Sequence, residues 1–479
     1  MRPAPFRVVV AAMLLLGAAC KPSRTSTPHP LEDARALALA APAGSEAVDQ
    51  EIGTLQTELR RSPNAEGWFL LGQAWVRKAR HTGDPGLYLS ANGASALALA
   101  LDANHRGALE LRTLVLLNQH SFREARAAAR EILAKTPEDF LALGSLSDAE
   151  LELGDVPAAI AAAQRMVDLK PNLVSYGRAA YLRWLTGDVA GAKTAYAAAI
   201  GAGRGGRDKE PLAWMVVQAA MVFWHEGDLE GAETGFDQAL SLMPDYPPAL
   251  AGKGRCRLAR GDASAAIGLL SRAQARQPLV ETTWLLGDAR RSAGDAAGAE
   301  KEYARVVRDA RQSDPLMLGY FQAVQNRDLP EALRALEGEH RARSGTYVED
   351  AYAWALYRAG RLAEARAASD RASAHGTPDA RLLYHAGAIR LAQGEHEQGL
   401  AFIRQALALN PGFEVAGAAE AHGLLEAGDG AQARQTSVDQ AAFVLGFSEV
   451  SAFSRAFKRW YAVPPSAYRA GHSRASDRR

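Results

Sequence analysis

The sequence predicts an all-α chain: a solenoid of stacked antiparallel helix pairs, followed by a short helix-turn-helix. Three observations carry that prediction. Small residues recur in phase at Ala91, Ala125, Ala159, Ala192, Ala232, Ala266, Ala299, Ala332, Ala365, Gly399 and Ala433, with spacings of 34, 34, 33, 40, 34, 33, 33, 33, 34 and 34 residues. A glycine stands five residues before most of them, usually followed by Asp: Gly154, Gly187, Gly227, Gly261, Gly294, Gly360, Gly394 and Gly428. The repeat breaks off at Gln435 or Thr436, and a basic, aromatic segment follows.

Bulk composition sets the frame. At 479 residues the chain exceeds one ordinary core, so several domains or one long repeat array are expected. With 48% hydrophobic and 23% charged residues it folds, and a formal charge of +1 gives no global attraction to nucleic acid or membrane. Two cysteines, Cys20 and Cys256, cannot staple a chain this long, and Cys256 lies in an apolar helical stretch as a buried small hydrophobe.

The first element is residues 1–19. Arg2 and Arg7 precede an apolar run from Val8 to Ala19, which is the pattern of an export signal and is too short for a comfortable membrane span. Gly17-Ala18-Ala19-Cys20 resembles the lipobox of bacterial lipoproteins, and that resemblance implies lipidation at Cys20 and a membrane-anchored or periplasmic protein. Gly17 stands where that pattern has leucine, so cleavage after Ala19 without lipidation is the alternative. Residues 20–50, rich in Pro, Ser, Thr and Ala, read as a tether.

Residues 51–434 form the solenoid, about eleven units with the last one truncated. The small residue lets two helices approach closely. The glycine ends the first helix with a positive φ, and Asp suits the tight turn beside it. A proline twelve residues after several of the marks (Pro137, Pro171, Pro244, Pro278, Pro411) stops the second helix. The period and its marks resemble the tetratricopeptide repeat, and Trp68, Leu71, Gly72 and Trp75 follow that family's first-helix pattern, with Leu286 and Gly287 doing so in part. The resemblance implies a right-handed superhelix whose first helices line a concave, protein-binding face.

The spacing of 40 marks an insertion near Gly201–Arg207, a surface loop that lacks the Gly-Lys-Ser/Thr ending of a phosphate loop. A second insertion sits near Arg80–Leu87. By phase, Tyr181, Trp184, Trp214, Trp224, Trp284 and Trp354 lie on or near the concave face. There they would anchor an extended peptide or a partner helix; the alternative is that they fill gaps between neighbouring helices. Eleven histidines lack ligand spacing, and no nucleophile elbow, paired cysteines or metal motif stands out. Neither an enzyme nor a cofactor or metal is expected.

The last element is residues 436–470, with a basic tail at 471–479. Ser437 caps a helix, with Gln440 placed to complete a capping box, and that helix ends at Gly446. A second helix starts near Glu449, with Val450, Phe453, Phe457 and Trp460 on its apolar side and Ser451, Ser454, Arg455, Lys458 and Arg459 on the other. From residue 435 onward seven Arg or Lys face three acids, a local balance of +4. Gly446-Phe447-Ser448, the run Phe453–Lys458 and Pro465-x-x-Tyr468-Arg469 resemble the second helix-turn-helix of AraC/XylS-type transcription regulators. That resemblance implies duplex DNA as a partner. Ser448, Glu449, Ser451, Ser454 and Arg455 would face bases, Lys458 and Arg459 phosphates. The family's first helix-turn-helix has no counterpart in this segment.

An export signal and a DNA reader contradict each other, and the join falls inside a repeat, as a fusion or frame accident would leave it. Two readings stand. One is a regulator whose repeats hold a protein partner while the tail binds DNA in the cytoplasm. The other is an exported, lipid-anchored scaffold with an idle tail.

Overall fold

The computed structural model describes residues 30–435, 449–461 and 463–465, with side chains left undescribed from 429 to 435 and at 460–461. Cys20, the export signal, the helix expected from Ser437, the turn at Gly446 and Ser448 lie outside the described residues. Among the described residues every regular element is a helix.

Ten helix pairs follow one another: α3 (Ala65–Thr82) with α4 (Leu87–Leu101), α5 (Arg106–Asn118) with α6 (Phe122–Lys135), α7 (Phe140–Glu152) with α8 (Val156–Leu169), α9 (Leu173–Leu185) with α10 (Val189–Gly203), and α11 (Glu210–His225) with α12 (Leu229–Leu242). The remaining pairs are α13 (Pro247–Ala259) with α14 (Ala263–Arg276), α15 (Val280–Ser292) with α16 (Ala296–Ser313), α17 (Pro315–Val324) with α18 (Leu329–Ala342), α19 (Thr346–Arg358) with α20 (Leu362–Ala372), and α21 (Ala380–Ala392) with α22 (His396–Leu409). Two helices precede them, α1 (Pro30–Ala38) and α2 (Ala47–Arg61), and α23 (Val415–Gln435) closes the array. The chain is thus a right-handed solenoid of tetratricopeptide-type pairs.

Each sequence mark has a visible cause. Ala91, Ala125, Ala159, Ala192, Ala232, Ala266, Ala332 and Ala365 are wholly buried where the helices of a pair touch. A larger side chain there would force the pair apart at a cost of about 1–3 kcal/mol. Gly154, Gly187, Gly227, Gly261, Gly294, Gly360 and Gly394 all have φ between 74° and 86°. The Asp after the glycine does more than suit the turn: in five units its carboxylate caps the second helix. Asp155, Asp188, Asp228, Asp262 and Asp295 each accept from the amide three residues on, at 2.8–3.0 Å. Each cap contributes about 1 kcal/mol. The prolines fall one residue after an extended C-cap (Thr136, Lys170, Met243, Gln277, Asn410), as the steric demand of Pro on its predecessor requires.

Two expectations need correction. The tether assigned to residues 20–50 contains α1 (Pro30–Ala38) and the start of α2 at Ala47. Its small residues let α1 pack on α4: a Cβ at Gly93 would sit 2.4 Å from the Ala34 carbonyl oxygen. Trp75 Nε1 and Gln56 Nε2 donate to the buried Ala38 carbonyl at 3.0 and 3.1 Å. The second correction concerns Gly428-Asp429, expected as the turn of an eleventh pair. Helix α23 runs straight through it, and Ala433 opens no further helix. Gly428 is small for another reason: a Cβ there would meet Leu400 of α22 at 2.5 Å.

The superhelix winds tightly enough for successive turns to touch. Ser344, Thr377 and Asn410 lie in equivalent links between pairs. Ser344 Oγ donates to the Leu153 carbonyl at 2.9 Å, Thr377 Oγ1 to Leu185 at 2.7 Å, and Asn410 Nδ2 to Trp224 at 2.7 Å. The acceptors lie at the C-terminal ends of α7, α9 and α11 (Leu153 follows α7, Leu185 ends α9, and Trp224 is the last but one of α11), where no helical i+4 amide is left to donate. The Ser344 amide donates to Glu152 O at 3.1 Å, and Arg123 Nη2 reaches Arg341 O at 2.9 Å, across 218 residues. The glycines fit this closure too. A Cβ at Gly227 would lie 2.7 Å from Leu409 O, and one at Gly154 would lie 2.7 Å from Ser344 Oγ.

Candidate binding site in the superhelix interior

Closure of one turn on the next converts a groove into an interior. Two adjoining cavities occupy it, of about 360 and 290 Å³, and both are walled by Met221, His225, Arg255, Glu281 and Tyr347. The first is completed by α15, α17 and the link before α23, which supply Trp284, Asp288, Tyr320, Phe413 and Glu414. The second runs toward α9 and α10.

Of the six aromatics expected on the concave face, Trp224 and Trp284 line the first cavity and Tyr181, Trp184 and Trp214 the second. Trp184, Trp224 and Trp284 are buried and Trp214 is 46% exposed. Trp354 lines neither. It stacks on His385 with ring centroids 4.0 Å apart, meets Tyr357 at 4.8 Å, and is covered by Arg358, whose guanidinium pairs with Glu420 of α23 at 2.6 Å. Helix α23 closes over it, so it fills an inter-helix gap.

The charged groups form a linked set. Asp379 caps α21, accepting from the Arg381 amide at 2.9 Å; its other oxygen takes the Tyr347 hydroxyl at 3.1 Å and faces His225 Nδ1 at 3.6 Å. Burial pushes the Asp379 carboxyl up, but His225, Arg381 and the hydrogen bonds outweigh it and hold it below its ordinary value. Burial also lowers the His225 imidazole. Arg381 lies over the rings of Tyr320 and Tyr347 at 4.9 and 5.0 Å and 3.4 Å from Asp350. Arg255 forms an ion pair with Glu281.

Next to this set, Tyr320 donates to Glu414 at 2.6 Å and Tyr303 to Asp288 at 2.7 Å. Burial lifts the Asp288 carboxyl to about 7, against the pull of the Tyr303 hydroxyl, and the nearby Glu414 charge adds to the rise. Trp284 Nε1 is buried and faces the Asp288 carboxylate, but it makes no hydrogen bond of good geometry. Among the described residues no group of His, Cys, Asp and Glu has the arrangement of a metal site. The sequence reading did not single out Asp288, Tyr320, Tyr347, Asp379, Arg381 or Glu414. Aromatic bulk marks the interior in the sequence, while these residues come together through the stacking of neighbouring pairs and the curvature of the superhelix.

The C-terminal helix, α24 (Val450–Tyr461), has the expected two faces. Phe453 is buried and meets Phe457 edge-on at 5.5 Å, while Ser451, Arg455, Lys458 and Arg459 are exposed and Ser454 is half-buried. Glu449 accepts from Ser451 Oγ at 3.0 Å and is exposed. No described helix is long and apolar enough to cross a membrane.

Comparison with known proteins agrees with this architecture. Tetratricopeptide repeat models match residues 113–174 and 351–412, and a second such model matches 223–282. A helix-turn-helix domain model of the AraC/XylS type matches 407–471, so its match starts well ahead of Thr436 and takes in all of α23. No curated relative matches the chain. Among solved structures, the type IV pilus biogenesis factor PilW is similar at 16% identity with a TM-score of 0.38, over 44% of this chain and 96% of its own. Human IFIT1, as a dimer with PPP-AAAA, is similar at 15% identity with a TM-score of 0.42, over 81% and 96%. A tetratricopeptide repeat protein from Parabacteroides merdae gives 17%, 0.31, 53% and 98%.

Proposed function

We propose that the solenoid holds a segment of a partner protein in its interior while the C-terminal helix-turn-helix binds duplex DNA, making the chain a partner-responsive transcription regulator. Tetratricopeptide arrays are protein-binding scaffolds, and the helix-turn-helix match indicates DNA binding. The observation that carries the reading is α24, whose apolar face turns inward at Phe453 while Arg455, Lys458 and Arg459 face solvent. In this reading Ser448, Glu449, Ser451, Ser454 and Arg455 read base edges, and Lys458 and Arg459 neutralise phosphates.

Fluorescence anisotropy of the full chain with labelled duplex DNA tests it. Binding should weaken with salt, and the double variant Lys458→Ala/Arg459→Ala should lower the log–log salt slope by about 2, since each phosphate contact contributes about 0.9. Salt-independent binding, or an unchanged slope in the variant, refutes it.

The N-terminal residues favour a second reading. Arg2, Arg7, the apolar run to Ala19 and Cys20 compose an export signal with a lipid acceptor, which suits an anchored interaction scaffold. Mass spectrometry of the protein from its native cell distinguishes the two. Acylated Cys20 in a membrane fraction supports the scaffold and excludes DNA regulation.

A further inference from the structure

The larger cavity offers a more specific recognition chemistry, and the inference rests on the interior being the partner site. Its cations are already engaged. Arg255 pairs with Glu281, and Arg381 lies between Asp350, Asp379 and two tyrosine rings. Two of its carboxylates are not so compensated. Asp288 and Glu414 each accept from a tyrosine hydroxyl, at 2.7 and 2.6 Å; the nearest cation to Asp288, Arg291, stands 4.0 Å away, half in solvent, and spends its donors on the Tyr303 hydroxyl at 2.8 and 3.0 Å, while Glu414 has no ion pair among the described residues. The same wall carries Trp284, 7% exposed, in contact with Tyr320 at 5.4 Å between ring centroids. The buried indole N–H of Trp284 faces the Asp288 carboxylate four residues on without completing a hydrogen bond of good geometry to it.

Aromatic faces with nearby carboxylates attract a cation, and more strongly when water is excluded. An unused buried donor calls for a carbonyl. We infer that the cavity receives a Lys or Arg side chain of the partner segment between Asp288 and Glu414, with a backbone carbonyl of that segment accepting from Trp284 Nε1. The cavity volume of about 360 Å³ suits one long side chain with its adjoining backbone. Burial of Asp288 lifts its carboxyl to about 7, which is the electrostatic cost that an incoming cation removes.

The test titrates the full chain with three fluorescein-labelled peptides of equal length: one containing Lys and Arg among apolar residues, a twin with every Lys and Arg replaced by Gln, and a twin with Glu instead. The basic peptide should bind at least about tenfold tighter than the Gln twin, a difference of about 1.4 kcal/mol. Glu414→Gln and Asp288→Asn should each reduce that preference severalfold, with circular dichroism reporting the fold. Trp284→Phe should weaken the basic peptide and its Gln twin by a similar factor and leave their ratio unchanged. Equal or tighter binding of the Gln or Glu twin overturns the inference while leaving the interior a peptide site. So does an undiminished preference in both carboxylate variants. Binding of none of the three overturns the peptide-site reading as well.

Discussion

Thr377→Val removes one hydroxyl from the seam between successive turns and changes little else. Thr377 is 6% exposed, and its Oγ1 donates to the Leu185 carbonyl at 2.7 Å. Leu185 is the last residue of α9, so its carbonyl has no i+4 amide to accept from. Valine keeps the shape and leaves that carbonyl without its seam donor, at a cost of about 1–3 kcal/mol. The neighbouring seam positions calibrate the number. Asn410 Nδ2 donates to Trp224 O, but that oxygen also accepts from the Gly227 amide at 3.0 Å, so Asn410→Ala should cost less at the acceptor. Ser344 is exposed, so water replaces its hydroxyl and Ser344→Ala should be near neutral. The expected order is Thr377→Val, then Asn410→Ala, then Ser344→Ala. Global melting suits this poorly, because repeat arrays open unit by unit. Hydrogen exchange read at residues 182–192 and 374–384 is the appropriate assay, and Thr377→Val should speed exchange there about 5- to 140-fold, at a factor of ten per 1.4 kcal/mol. Exchange unchanged within twofold, or Ser344→Ala acting as strongly as Thr377→Val, would refute the seam as described.

Other outcomes follow from the same geometry. Asp288 has its carboxyl raised from 3.8 to about 7, so its folded state binds the proton more tightly than the unfolded chain does. Its contribution to stability is present at low pH and falls as pH rises toward 7. Asp288→Asn should therefore stabilise the local fold more at pH 8 than at pH 5, by about 1–3 kcal/mol, and equal effects at both pH values in denaturant titrations would contradict this. Gly93→Ala drives a methyl into the Ala34 carbonyl, so it should release α1 and expose residues 30–45 to limited proteolysis; an unchanged digestion pattern would restore the tether expectation. Cys256 is wholly buried, and burial pushes its thiol up to about 12. It should resist alkylation in the native chain and react only on unfolding, which mass spectrometry of alkylated peptides reads directly.

The repeat was legible because its causes are local. A small residue at a helix contact, a glycine at positive φ and a proline after a C-cap each leave a mark at fixed spacing, and Ala159, Gly154 and Pro171 each stand where that spacing put them. What misled was the same kind of mark serving another purpose. Gly428 keeps the phase of a turn but is small because α23 passes close to Leu400. The Pro/Ser/Thr/Ala composition before residue 50 resembled a linker, yet Ala34 and Ala38 are small because α1 packs against glycine and tryptophan. Of the interior, bulk was legible and chemistry was not. Trp224 and Trp284 could be placed by phase. Tyr347 and Asp379, 32 residues apart, meet because neighbouring pairs stack, whereas Tyr320 and Glu414, 94 residues apart, are brought together by superhelical curvature. That curvature arises from many small inter-helix rotations, none of which a single motif encodes.

The enclosed interior depends above all on the solenoid closing turn upon turn. Spin labels at the exposed positions Glu124 and Ala342, in a chain with Cys20 replaced by serine, would measure this, because Arg123 hydrogen-bonds to the Arg341 carbonyl in the closed form. Closure predicts a narrow distribution within about 20 Å, on the order of two helix diameters. An open stack, with some six repeats between the labels at roughly 10 Å each, would place them about 50–60 Å apart, and a distribution centred there would contradict the enclosed interior and everything built on it.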